Sequence, residues 1–146
     1  MSIILHHPSG DVSVRESDDG MRIVTAEADP LDQFVSRTTC KTAYPLELIE
    51  HILKVEGTSG VCDEIMREED PEYVRINIEY EVFGFTPAED FTGMRVLDFG
   101  CGAGASSVIL AQTTDASEIV GIDINSDSLD IARHRAEFYH IQNATF

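Results

Sequence analysis

The sequence is defined first by what it is short of. It has no tryptophan, only two lysines (Lys41 and Lys54) and only three cysteines. It also lacks any apolar run of the roughly 18 residues that a spanning helix requires, so no such helix is expected. The N-terminus, Met1-Ser2-Ile3-Ile4-Leu5-His6-His7, has no basic start and a very short apolar stretch. It does not read as a signal peptide, and a cytoplasmic protein is expected. Cys40, Cys62 and Cys101 are widely spaced and form no Cys-x-x-Cys pair. Their odd number argues against a disulfide framework and fits a reducing compartment. The five histidines show no ligand spacing with them, and His6-His7 reads as a solvated terminus. No metal site is expected.

What is abundant is negative charge. The 27 acidic residues outnumber 10 basic ones, for a formal net charge of −17. Such a surface repels phosphate backbones and anionic lipid headgroups, so neither direct nucleic-acid binding nor membrane association is expected. It suits either a high-salt cytoplasm or an ordinary acidic cytosolic protein. The hydrophobic fraction of 42% is enough for a core, and 146 residues suffice for one domain or for part of a larger one.

Along the chain, Val12-Ser13-Val14 and Met21-Arg22-Ile23-Val24 flank a polar run ending in Asp19-Gly20, which predicts a short β-hairpin. After Pro30 the pattern turns helical: Leu46, Leu48, Ile49, Ile52 and Leu53 line one side of a segment that Gly57 would end. A shorter helix is expected from Val61 to Arg67. Asp70 to Gly84 alternates like a strand, yet Tyr73, Ile76, Tyr80 and Phe83 also share a helical face. Asp70 as N-cap, Pro71 at the first position and Gly84 at the end decide for a helix. These aromatics and Tyr44 are expected in core packing or a helix seam rather than against a ligand.

From Met94 the pattern sharpens. Arg95 to Phe99 predicts a short buried strand, Gly100 to Gly104 a tight turn, and Ala105 to Gln112 an apolar helix. Glu118 to Asp123 predicts a second strand. Asn125 or Ser126 then caps a helix with Leu129, Ala132, Ala136 and Tyr139 inward, and Ala144 to Phe146 enters a third strand. This β-α-β-α series predicts an α/β fold with a parallel sheet and crossover helices.

Glycines at a strand-to-helix turn let a ligand approach the main chain closely. Gly100-x-Gly102-x-x-Ala105 satisfies the dinucleotide fingerprint, which alone is a weak signal. Asp98 separates the ligand classes. Unit charges a few ångströms apart interact by about 4 kcal/mol at an effective dielectric near 20. A carboxylate at the strand end opposes pyrophosphate and favours the cationic amino group of S-adenosylmethionine (SAM). Asp123, at the end of the second strand, suits both ribose hydroxyls in either ligand class, and Ile124 is placed to pack on an adenine face. Cys101, inside the turn, reads as a small packed residue rather than a nucleophile, and His134 and His140 as surface residues.

Val96-Leu97-Asp98-Phe99-Gly100-Cys101-Gly102-Ala103-Gly104 resembles motif I of the class I SAM-dependent methyltransferases, and Val120-Gly121-Ile122-Asp123-Ile124 resembles their second-strand acidic motif. The resemblance implies a Rossmann-like fold, SAM as cofactor and methyl transfer to an unidentified acceptor. It implies a cofactor-binding set of Asp98, Phe99, Gly100, Cys101, Gly102, Asp123 and Ile124. Within that set Asp98, Gly100 and Gly102 would line the methionine end, Asp123 the ribose and Ile124 the adenine. Helices within residues 39–92 would help cover the cofactor. No catalytic residue is assigned.

The expected organisation is an N-terminal hairpin and helical cap over residues 1–92. The N-terminal half of a truncated Rossmann-like domain would follow over residues 93–146. Completion by a missing C-terminal segment or an oligomer, and weak SAM affinity without it, are further expectations. Two rivals stand beside this reading: a non-catalytic interaction module on the same scaffold, and an NAD-type dinucleotide-binding protein.

Overall fold

The computed structural model describes residues 2–27, 36–80, 82–84 and 86–146, which leaves Pro30 outside the described residues. The chain divides into two compact units, Met1–Arg67 and Glu68–Phe146.

The first unit is built on four antiparallel strands in sequential order: β1 (Ser2–His7), β2 (Gly10–Glu16), β3 (Arg22–Ala26) and β4 (Thr39–Thr42). The expected hairpin is its centre, with Val14 opposite Val24. Its turn is closed by Gly20, at φ +79°, and by the Ser17 amide donating to the Met21 carbonyl at 2.8 Å. Alternation puts Val12, Val14, Val24, Ala26, Cys40 and Thr42 on the buried face.

Helix α1 (Leu46–Glu69) supplies Leu48, Ile49, Ile52, Val61, Cys62 and Ile65 to the same core. The expected stop at Gly57 is a break rather than an end. Gly57 adopts φ 69°, ψ −175°, a conformation essentially reserved for glycine, and the helix restarts after it. Ser9, between β1 and β2, caps the restart: its Oγ accepts the Thr58 amide at 3.1 Å, and the Thr58 hydroxyl donates to the Ser9 carbonyl at 3.2 Å.

The second unit begins at Glu68. Asp70 caps α2 (Pro71–Val74) as expected, accepting the Glu72 amide at 2.9 Å. The helix then widens into a π-helical turn, Arg75–Tyr80, and Phe83 donates to Ile78 five residues back at 2.8 Å. That wider winding changes the inward face. Ile78 is buried, whereas Ile76 and Tyr80 of the expected face are exposed, and Arg75 rests over the Tyr80 ring.

After a 3-10 turn (Ala88–Phe91) come β5 (Arg95–Phe99), α3 (Ala105–Thr113), β6 (Glu118–Ile122), α4 (Ser126–Phe138) and β7 (Ala144–Thr145). The three strands are parallel in the order β5-β6-β7, so the α/β reading holds. Leu110, Ala116 and Ile119 form a core joined by Val82, Phe83, Phe91 and Val96. One expectation fails here: β5 is not a buried strand. Leu97 is 61% and Phe99 84% exposed, because among the described residues one face of the sheet carries no covering element at these positions. In α4, Asn125 is the cap and Ala132 and Ala136 point inward. Leu129 and Tyr139 are only half-buried, and Arg135 takes a fully buried place.

Candidate functional site

The site is the carboxyl end of β5 and β6, where parallel strands leave a crevice. Gly100, Gly102 and Gly104 all sit at positive φ (76°, 53° and 78°), which lets the chain reverse sharply between β5 and α3. Main-chain pairing holds the turn to β6: the Gly100 and Cys101 amides donate to the Ile122 carbonyl at 2.8 and 3.0 Å. The Gly102 amide donates to Asp123 Oδ2 at 2.9 Å, and the Gly104 amide to the Cys101 carbonyl at 2.9 Å. Four amides of the turn are therefore satisfied by the protein itself.

Asp123 also accepts the Asn125 amide through Oδ1 at 2.8 Å. Hydrogen bonds from the Asn125, Gly102 and Ile124 amides, in that order, hold its carboxyl below the usual carboxylate range, so it is ionised at neutral pH. Asp98 lies one strand over and half-buried, with the buried Ser107 hydroxyl of α3 donating to its Oδ2 at 2.7 Å. The Cys101 thiol is pushed up to about 11, first by burial and then by the charges of Asp98 and Asp123. It stays protonated, and its sulfur packs where a Cβ on Gly121 would stand, 2.9 Å away. A packing role is what this geometry permits.

A cleft of about 490 Å³ opens beside the turn, lined by Phe99, Gly100, Ile122, Asp123 and Ile124. Four residues of the set singled out from sequence thus meet on one cleft. Asp98, Cys101 and Gly102 do not line it. Asp98 and Phe99 are adjacent in a strand and point to opposite faces, so Phe99 lines the cleft while Asp98 faces α3. Sequence reasoning missed Ile122 as a wall, although its pairing opposite Phe99 follows from parallel register. It also missed Ser107, which nothing but the turn length could have brought to Asp98.

Residues 90–146 match the family model described as a methyltransferase domain. That match takes in 57 of the 146 residues. A stretch of the chain is 41% identical over 54 residues to ribosomal protein L11 methyltransferase of Ralstonia pickettii, covering 37% of this chain and 17% of that protein. It is 43% identical over 47 residues to magnesium-protoporphyrin O-methyltransferase of Rhodobacter capsulatus, covering 32% of this chain and 20% of that one. The chain thus spans about a fifth of the length of these curated relatives. Among solved structures, a SAM-dependent methyltransferase from Aquifex aeolicus superposes with a TM-score of 0.43 at 21% identity, covering 56% of this chain and 43% of that one.

Proposed function

We propose that residues 93–146 form the cofactor-holding part of a SAM-dependent methyltransferase, within the unit Glu68–Phe146. The observation that carries the reading is the pair of carboxylates, Asp98 and Asp123, flanking a turn four of whose amides are already engaged. A pyrophosphate would need positive potential at this place, whereas the two carboxylates supply negative charge. A cationic, phosphate-free cofactor fits.

In this reading Asp123 accepts the ribose hydroxyls on lone pairs not used by the Gly102, Ile124 and Asn125 amides. Ile124, fully exposed at the cleft, and Phe99 and Ile122 give an apolar surface for the adenine. Asp98 attracts the methionine ammonium, directly or through water, while Ser107 orients its other oxygen. Gly100, Cys101 and Gly102 let the main chain come close enough for the methionine end. SAM would supply the activated methyl group, so the protein's task is binding and alignment of the acceptor. The acceptor-binding part, and the segment or second copy that completes the sheet over Leu97 and Phe99, would lie outside the described elements.

A thermal-shift comparison tests the cofactor reading, since a ligand that binds only the folded state raises its melting temperature. S-adenosylhomocysteine should raise it and NAD should not. A rise with NAD alone would overturn the reading.

A further inference from the structure

Arg135 is the one large charged side chain at full burial among the described residues, at 0% exposure on the inner face of α4. A buried guanidinium carries a desolvation cost that an apolar residue of the same size would not, so its contacts must explain its place. It has two. Its Nη1 donates to the Ala103 carbonyl at 2.8 Å, inside the glycine turn, and its Nε lies 3.2 Å from Glu68 Oε1 at the end of α1. The Glu68 side chain is itself 1% exposed.

Ala103 follows the residue whose amide Asp123 holds. The turn is therefore gripped at two consecutive residues, from the cleft side through the Gly102 amide and from beneath through the Ala103 carbonyl. Nothing in the methyltransferase reading uses Glu68 or Arg135. From this geometry we propose that Glu68 and Arg135 are positioning residues for the glycine turn, and that the charge on Glu68 sets how firmly the turn is held and so how tightly the cofactor binds. This inference rests on the cofactor reading only for its last step.

The charged and titratable groups around Glu68 are Arg135 from α4, Tyr139 at the C-cap of α4, and its own neighbour Glu69, to which the Tyr139 hydroxyl donates at 3.3 Å. Burial, opposed by Arg135 and reinforced by Glu69, raises the Glu68 carboxyl to about 7. Ionised, Glu68 attracts the guanidinium across the 3.2 Å to its Nε and so keeps Nη1 turned to Ala103. Protonated, it loses that attraction, and the hold on Nη1 slackens.

The test is hydrogen exchange of the turn amides in the full chain, corrected for intrinsic rates, at about pH 6 and about pH 8, with β6 amides as the internal reference. In the wild type, protection of residues 100–106 relative to β6 should increase about five-fold on going to the higher pH. In Glu68→Gln, which is nearly isosteric, it should stay at the low level at both. Arg135→Lys, which keeps the charge but loses the forked donors, should loosen the turn at both pH values. The dissociation constant for S-adenosylhomocysteine should follow the same pattern. Turn protection that is equal in wild type and Glu68→Gln overturns the proposal, whatever the chain binds. So does a Glu68→Gln change shared equally by the β6 amides. If protection follows the proposal but S-adenosylhomocysteine binds at neither pH, the grip on the turn stands and the cofactor reading fails.

Discussion

The carboxylate of Asp123 accepts the Gly102 amide at 2.9 Å, so the acid that ends β6 is also what holds the turn that follows β5. One side chain thereby ties both strands of the crevice together. Its amide bonds favour the ionised form. With the folded value depressed, its contribution is present above the unfolded value of 3.8 and is lost as pH falls below it. Asp123→Asn keeps the shape but loses the charge and one acceptor. Calorimetry with S-adenosylhomocysteine should show affinity weaker by on the order of ten-fold, with no Asp123-dependent pH trend in the wild type near neutrality. Undiminished affinity in the variant would remove Asp123 from the ribose role.

Gly104 and Gly121 make room for the layer beneath the crevice. A Cβ on Gly104 would stand 2.6 Å from the Ala132 Cβ and 3.0 Å from the Phe146 ring, at φ +78°. A Cβ on Gly121 would stand 2.6 Å from Phe146. Gly20 also has positive φ, but nothing lies within 4 Å of its Cβ position. Urea denaturation should therefore rank the alanine variants. Gly104→Ala is expected to lose about 3 kcal/mol, from overpacking and strain together. Gly20→Ala should lose about 1 kcal/mol, from backbone strain alone. Equal losses would mean that packing at Gly104 is slack.

Glu68 makes a prediction about stability as well as about the turn. Its folded value is raised from 4.5 to about 7, chiefly by burial. Between those values the folded chain holds a proton that the unfolded chain has released, so its contribution to stability falls as pH rises through this window and is constant above it. The size is about 3 kcal/mol. Denaturation curves across about pH 5 to 8 should show this slope in the wild type, and Glu68→Gln should flatten it. A slope unchanged by the substitution would assign it elsewhere.

How much of this was legible beforehand depended on how local each cause is. The turn, both flanking strands, α3, the cap of α4 (to Asn125 or Ser126) and the Asp70 cap were readable because each is dictated by residues within a few positions. The hairpin was readable for the same reason, but not the strands that extend it to four. β4 has only four residues, and β1 alternates too weakly to show, so their pairing is a tertiary fact. The Arg75–Tyr80 stretch carried a helical signal of the right kind but the wrong period, since nothing in the pattern announces a π-helical winding. At the site, Phe99, Gly100, Asp123 and Ile124 came together as the motifs implied. The Asp98–Ser107 bond, the Arg135–Glu68 pair and the exposure of β5 depend on contacts between distant residues or on elements beyond the sheet, which spacing does not encode.

The central claim is that a carboxylate at the tip of β5 selects a positively charged, phosphate-free cofactor. The most direct measurement is calorimetric titration of SAM and NAD into the chain and into Asp98→Asn. SAM should bind the wild-type chain, weakly while the Leu97 and Phe99 face of its sheet is uncovered, and more weakly still once Asp98 loses its charge, with no heat from NAD in either. NAD binding as tightly as SAM, or SAM binding that Asp98→Asn leaves unchanged, would contradict the account.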